Sequence, residues 1–489
     1  MAGAAMKLIV RQSARRAIFL LMLFLCGMRA AIAQDQFDLR QADGMQAAIQ
    51  DALAAESRSA DTSQLMTFYK GRDFRPVWTG SDAARARGTL LLRTLKNAEQ
   101  QGLRSADYMT GIPKDDPRSA AKQAIFDVAL TQSYFNYAND VRLGRVRPGD
   151  VYKDVDLPAQ NYDAAANLNS AIEEDDEDGD FADFLKSLPP PHPEYYRLVE
   201  ALAHYRGLAR HGDAEAAKRV EQIEANMERW RWLPRHFESR TIRVNVPDQS
   251  VAFVEDGEVR LRSKVVVGRK GMPTPILRTT AVAVVANPFW DIPDDIAAKS
   301  ILPHLRRDPN YLESRHMVLA DGPPDDPHGT EIDWKDVKGD ILPYQIRQEP
   351  GPDNALGTVM LDIPNPFFVY LHGTPNQHLF TLDDREISHG CVRVEKILEL
   401  ASLALTDSTT DPDLSDAVST GATQRMSLDE PVPVYMLYWT AIAQPDGTVD
   451  FRPDLYGRDK VLIEKLSGAE RVSATSPGDA DAASPIRPG

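Results

Sequence analysis

The chain has 489 residues, of which 43% are hydrophobic and 26% charged, and a formal net charge of −16. That length exceeds what one hydrophobic core usually serves, so two or more domains are expected. The acidic balance argues against nucleic acid or anionic lipid as a partner held by bulk electrostatics.

Lys7, Arg11, Arg15 and Arg16 precede an apolar run from Ala17 to Met28, and Ala31-Ile32-Ala33 supplies a small-x-small cleavage site before Gln34. Residues 1–33 therefore read as a signal peptide, and the run is short for a membrane span. A periplasmic location is the expectation, with membrane contact only if this segment stays uncleaved. Cys26 lies mid-run behind the large Leu25, which argues against lipidation. Cleavage would leave Cys391 as the lone cysteine of an exported protein. It is then an inert buried thiol, a pairing site for another chain, or a nucleophile.

Residues 34–215 read as a mainly helical domain. Met45, Ile49 and Leu53 follow helical spacing, as do Leu90, Leu91, Leu92 and Leu95. A long apolar-faced helix runs from Ile125 to Val141, with Arg147-Pro148-Gly149 as its expected end. The acidic run Glu173 to Asp180 lacks the alternating ligands of a calcium loop and reads as a solvated loop. Pro189-Pro190-Pro191-His192-Pro193 reads as a stiff connector.

Residues 216–238 read as a linker helix at a domain junction. Val220, Ile223, Met227 and Trp230 share one face, and Pro234 stops it. From 239 to 466 the period changes to two, as in Ile242, Val244 and Val246. Asp256-Gly257 and Asp446-Gly447 each mark a hairpin. Phe367 to Leu371 reads as a buried strand ending in a Gly-Thr turn. The expected fold class is α+β, a helical N-terminal domain followed by a β-rich domain. The small, polar, Pro/Gly-rich residues 467–489 read as a disordered tail.

The chemistry concentrates in two short segments, His372-Gly373-Thr374 and, nineteen positions from His372 to the thiol, Ser388-His389-Gly390-Cys391-Val392-Arg393. A thiol attacks as thiolate, so it needs a nearby base, and the base needs an orienting group. Small residues beside the nucleophile let main-chain N–H groups approach a developing oxyanion. Both His372 and His389 are available as base, and spacing alone does not rank them. His389 would share a face with Cys391 in extended structure. A second His-Gly-Thr, His328-Gly329-Thr330, follows a Pro- and Asp-rich loop and reads as surface. His378 reads as structural or as a groove-edge residue. One cysteine with scattered histidines lacks zinc spacing, so neither metal nor cofactor is expected.

These residues resemble the L,D-transpeptidase family with its YkuD-type catalytic domain. The family motif pairs His-Gly-Thr with Ser/Thr-His-Gly-Cys, an apolar residue and then Arg or Asn. The resemblance implies that Cys391 is the nucleophile and His372 the base. It implies that Gly373 orients the imidazole, that His389 and Ser388 support the loop, and that the Gly390 and Cys391 amides form much of the oxyanion hole. It extends to Gly144-Arg145-Val146, to Glu228-Arg229-Trp230-Arg231-Trp232-Leu233-Pro234 and to Asn287-Pro288-Phe289-Trp290-Asp291-Ile292-Pro293. These match the long Gram-negative form, in which a helical scaffold precedes a catalytic domain, here 239–466, with a cap inserted at about 293–348. Trp290, Tyr344, Arg347, Tyr370 and Arg393 are the candidates for lining the substrate groove. The peptidoglycan-binding module that long members often carry before the Glu-Arg-Trp helix is missing, and Gly373 stands where several long members have Asp.

The implied substrates are peptidoglycan stem peptides, a tetrapeptide donor and a second stem as acceptor, with carbapenems acylating the same thiol. Water or a protein lysine are alternative acceptors, and a non-catalytic wall-binding scaffold is the rival reading. Cell-wall synthesis proteins are candidate partners of the helical domain.

Overall fold

The computed structural model describes residues 44–55, 60–113, 119–174, 180–337, 342–406 and 413–468. The expected signal peptide, most of the acidic run and nearly all of the expected tail lie outside the described residues. In chain order the first helices are α1 (44–55), α2 (Ala60–Gly71), α3 (Asp82–Lys96), α4 (Ser105–Met109) and α5 (Ala120–Leu143). They are followed by α6 (Pro148–Val151), α7 (Ala164–Glu173), α8 (Asp180–Ser187), α9 (Pro193–Arg210) and α10 (Ala214–Arg231). The described residues up to Arg142, with Tyr162–Pro189, form one compact unit; Leu143–Asn161 and the residues from Pro190 onward form another.

The first unit is helical and is built on α5. Leu130, Tyr134, Phe135 and Ala138 of this helix are fully buried, as are Leu91 and Leu95 of α3. Asp127 sits in the same core. It accepts hydrogen bonds from Tyr69 Oη (2.7 Å), the Val77 and Trp78 amides (2.9 and 2.8 Å) and Thr79 Oγ1 (2.9 Å). Four donors satisfy a carboxylate that would otherwise be costly to bury. Helix α5 ends earlier than Arg147-Pro148-Gly149, because Gly144 adopts φ +90° and Pro148 instead opens α6.

The second unit takes in more than the β-rich region. Helix α9, placed by sequence in the helical domain, packs here: Tyr195, Leu198 and Leu202 share a core with Ile223, Met227 and Trp230 of α10 and with Tyr435 and Leu437. Helix α10, read from sequence as a linker helix at a domain junction, lies within this unit. Its last turns are buried, charges included: Arg231 pairs with Glu228 at 2.7 Å and Arg229 with Asp459 at 2.5 Å. Glu228 also accepts from the Val146 amide at 2.8 Å. Buried ions of this kind persist only when paired and hydrogen-bonded.

The strands of this unit are β1 (Val155–Asp156), β2 (Arg240–Asn245), β3 (Ser250–Glu255), β4 (Glu258–Gly268), β5 (Ile276–Ala286), β6 (Trp290–Asp291) and β7 (Met317–Leu319). Then come β8 (Ile346–Gln348), β9 (Val359–Asp362), β10 (Leu371–His372), β11 (Glu386–Ser388), β12 (Val392–Val394), β13 (Gln424–Leu437) and the antiparallel pair β14 (Ala441–Ala443) and β15 (Val449–Phe451), which flank Asp446-Gly447. The main sheet runs β5-β13-β2-β3-β4-β12-β10-β9, and β9 pairs with β5 as well as β10, so it closes on itself. Its interior holds Ile242, Val244, Val265, Val267, Val284, Leu361, Leu371, Val392 and Val434. The β3–β4 hairpin turns at Asp256-Gly257, both with positive φ, as a two-residue turn of primed type requires. The part of β13 before Tyr435 is interrupted in the sequence by Pro431 and Pro433; a register shift between Ser427 and Val432 accommodates the interruption.

Strands β6, β8 and β7 form a separate three-stranded sheet. With the short helices between Asp294 and Ser314 they make a subdomain around its own core of Ile292, Leu302, Leu305, Leu312, Trp334 and Ile346.

Candidate active site

Three strands position the thiol. Ser388 at the end of β11 pairs with Gly268 at the end of β4, and β12 then returns antiparallel along β4. On its other side β12 lies parallel to β10, with Leu371 opposite Val392 and His372 opposite Arg393. The Val392 amide donates to the Tyr370 carbonyl at 2.9 Å, which brings Tyr370 level with Cys391. Side chains two apart on a strand share a face. Leu371, Val392 and Val394 point into the core, so Tyr370, His372, Cys391 and Arg393 form a four-residue patch on the opposite face. The thiol and the imidazole are diagonal neighbours across two adjacent strands.

His372 is buried, 4% exposed, although it faces away from the sheet interior. The Leu356-Gly357 turn covers its segment so closely that a Cβ on Gly357 would lie 2.6 Å from the Thr374 nitrogen. The imidazole Nδ1 is 2.6 Å from the Gly373 carbonyl. A carbonyl only accepts, so Nδ1 carries the proton and Nε2 is left with a lone pair. Burial, reinforced by the Arg393 charge, lowers the pKa of His372 to about 4, against the opposing pull of the Gly373 and Leu356 backbone. Burial also pushes the half-buried Cys391 thiol above its usual range, against the pull of the Tyr370 backbone and of Arg393. At neutral pH the pair therefore rests as thiol and neutral imidazole, not as an ion pair.

The nucleophile loop is wired from both ends. Ser388 Oγ donates to the Cys391 carbonyl at 2.6 Å and accepts from the Gly390 amide at 3.2 Å. That second bond engages the Gly390 N–H, one of the two amides expected to line an oxyanion hole. Gly390 has φ +111°, a conformation glycine reaches without strain. It breaks the extended path between His389 and Cys391, and the His389 side chain is largely exposed. Burial followed by the Arg269 charge lowers the His389 pKa.

Sequence reasoning missed the brace behind this loop. Thr274 Oγ1 donates to the Gly390 carbonyl at 2.8 Å and accepts from the Gly268 amide at 2.9 Å. Tyr456 Oη donates to the Gly268 carbonyl at 2.5 Å. The signal was the turn-rich Gly268-Arg269-Lys270-Gly271-Met272-Pro273-Thr274 after a long strand. The expected buried strand Phe367 to Leu371 is also different. Only Leu371 and His372 pair as strand, while Phe368 has φ +53° and is 77% exposed.

Arg393 is half-buried, and among the described residues no carboxylate lies within ion-pairing distance of it. The remaining groove candidates are held in the small subdomain. Trp290 and Tyr344 pack against its core, and Arg347 pairs with Asp291 at 2.5 Å while lying over the Phe289 ring. His328 donates Nδ1–H to the Met317 carbonyl at 2.9 Å in the same subdomain.

Residues 239–432 match the L,D-transpeptidase catalytic domain family, and residues 63–202 match the scaffold domain family. The chain carries an L,D-transpeptidase catalytic domain. A Haemophilus influenzae protein named as a candidate L,D-transpeptidase is 28% identical over 410 residues, covering 81% of this chain and 78% of that protein. Among solved structures, a mutant Enterococcus faecium L,D-transpeptidase is 12% identical over 41% of this chain and 50% of its own, with a TM-score of 0.22. A Mycobacterium smegmatis L,D-transpeptidase is 15% identical over 40% and 58%, with a TM-score of 0.19. The chain thus spans about half the length of these structures.

Proposed function

We propose that this protein is a periplasmic L,D-transpeptidase that joins peptidoglycan stem peptides through a thioester on Cys391. The observation that carries the reading is the diagonal placement of Cys391 and His372, with Nδ1 committed to the Gly373 carbonyl, which makes Nε2 the basic nitrogen of the neutral ring. Because the thiol rests protonated, attack and proton transfer to Nε2 go together. The Cys391 sulfur forms a bond to the carbonyl carbon of the third stem residue, a diamino acid. The bond from that carbon to the D-alanine nitrogen breaks, and His372 returns the proton to the departing amine. Arg393 lowers the cost of negative charge on sulfur. A side-chain amine of a second stem then attacks the thioester, the C–S bond breaks and the thiol is restored, giving a 3→3 crosslink. The basic leader of residues 1–33 supports export to the periplasm, where these substrates are found.

The test is incubation of wild type and Cys391→Ala with a disaccharide-tetrapeptide, followed by intact-protein mass and sequencing of the products. A cysteine-dependent adduct with loss of D-alanine and a 3→3 dimer is expected. Tripeptide alone would move the acceptor to water, and no cysteine-dependent adduct or product would overturn the proposal.

A further inference from the structure

Phe368 lies beside the nucleophile in a backbone conformation that bulky residues avoid. Its φ is +53°, and its side chain is 77% exposed, the most exposed of the large hydrophobic residues described. A non-glycine residue held in this region costs stability and persists only where its surroundings over-determine it. Here they do. Asn365 Oδ1 accepts from the amides of Phe367 (3.1 Å) and Val369 (3.3 Å), and its Nδ2 donates to the carbonyls of Ile363 (2.5 Å) and Val369 (2.8 Å). The Phe368 amide donates to the Asn365 carbonyl at 3.4 Å. Phe367 and Val369 pack on the core to either side, so the turn is anchored and only Phe368 projects.

Neither the strain nor the exposure serves the fold, because a ring this exposed buries little apolar surface. Glycine would occupy the position without strain. What the conformation does achieve is local to the site. It sets the Phe368 carbonyl 4.0 Å from Cys391 Sγ and so places this exposed residue beside the same patch.

We propose that Phe368 is a specificity-determining residue of this site, its ring packing on the aliphatic side chain of the acyl-donor residue beside the scissile carbonyl. The inference rests on the transpeptidase reading above. The stem residue attacked carries a chain of methylenes next to that carbonyl, an apolar segment that an aromatic face covers well.

The test uses the full chain with Phe368→Gly and Phe368→Leu. Cys391 acylation by a disaccharide-tetrapeptide is followed over a range of donor concentrations, with alkylation by iodoacetamide and thermal unfolding alongside. For Phe368→Gly, acylation at low donor concentration is expected to fall by roughly tenfold, as for loss of one well-packed apolar contact, and to recover at saturation. Alkylation should be unchanged and the unfolding temperature equal or higher. Phe368→Leu should retain most of the donor selectivity. If wild type is acylated and Phe368→Gly matches it at every concentration, Phe368 has no such role and the transpeptidase reading survives. A lower unfolding temperature for Phe368→Gly would show that the ring serves the fold and would overturn the proposal. If wild type is alkylated but never acylated by the peptide, the transpeptidase reading fails and this assignment falls with it.

Discussion

The tripeptide His-Gly-Thr occurs twice, at 372–374 and at 328–330, and the two copies do different things. Both histidines donate Nδ1–H to a main-chain carbonyl, His372 to Gly373 at 2.6 Å and His328 to Met317 at 2.9 Å. Tautomer control is therefore common to both and confers no chemistry by itself. The difference lies across the strand. His372 ends β10, next to β12, and so has Cys391 and Arg393 as neighbours on its face. His328 sits in a turn organised by Asp326, which accepts from the Thr330 amide (2.8 Å), Thr330 Oγ1 (3.0 Å) and the Glu331 amide (2.9 Å). One copy is a site because a parallel strand delivers a thiol to it; the other is a braced loop.

The largest break in this comparison is substitution of each histidine. His372→Gln should lower kcat by roughly 1,000-fold or more, the scale expected for a general base. His328→Gln should stay within about twofold, since it touches no reacting atom. Steady-state rates on the tetrapeptide donor check both. The next test is pH. His372 must be neutral to accept the thiol proton, and its pKa is lowered to about 4. The acid limb of kcat/KM should therefore fall near pH 4, well below the 6.5 of an ordinary histidine. A limb near 6.5 would mean that His372 is not the titrating base. The same shift affects stability. The unfolded chain binds the His372 proton below about 6.5 and the folded chain only below about 4, so stability is lost as pH falls from 6.5 to 4 and is unaffected above that window.

Thr274 sharpens the contrast on the catalytic side. Thr274→Val removes the hydroxyl that joins the Gly268 amide to the Gly390 carbonyl, leaving a buried donor unpaired. A loss of about 2 kcal/mol in unfolding free energy is expected. Because the nucleophile turn is then less fixed, a fall of roughly tenfold in kcat with little change in KM should accompany it.

Much of this site was legible in the sequence, and the reason is local. The requirements at Ser388, Gly390, Cys391 and His372 are written in short runs: a hydroxyl, a glycine and a thiol in one turn, and an imidazole before a glycine. The hairpins at Asp256-Gly257 and Asp446-Gly447 were legible for the same reason. What was hidden depends on distant partners. The amide of Gly390 was expected to face an oxyanion but meets Ser388 Oγ, and nothing in the tetrapeptide says which. Thr274 and Tyr456 join the loop from far along the chain. Helix α10 read as a linker because its apolar face is narrow. Its burial depends on Asp459 and Tyr152, which complete the environment of Arg229 from positions that no periodicity connects.

The two glycines give the finest test, because stability and activity should respond in opposite order. Gly329 has φ +62°, and a Cβ there would lie 2.8 Å from Trp334 Cζ2. That ring is buried, and its Nε1 donates to the Gly329 carbonyl at 2.8 Å, so it yields little. Gly329→Ala should cost about 2 kcal/mol of stability, combining left-handed strain with the clash, and leave turnover unchanged. Gly373 has no left-handed backbone, and its Cβ would meet Ile397 Cγ2 at 3.2 Å, the end of a side chain that can shift by a few tenths of an ångström. Gly373→Ala should cost under ~1 kcal/mol. Yet the Gly373 carbonyl is what holds His372 Nδ1, and a small displacement there turns Nε2 away from the thiol. Turnover should therefore fall about five- to tenfold despite the smaller stability loss. Thermal unfolding and kcat measured on both variants decide the matter. If turnover follows stability in both, the second His-Gly-Thr is coupled to the site and the distinction between the copies fails.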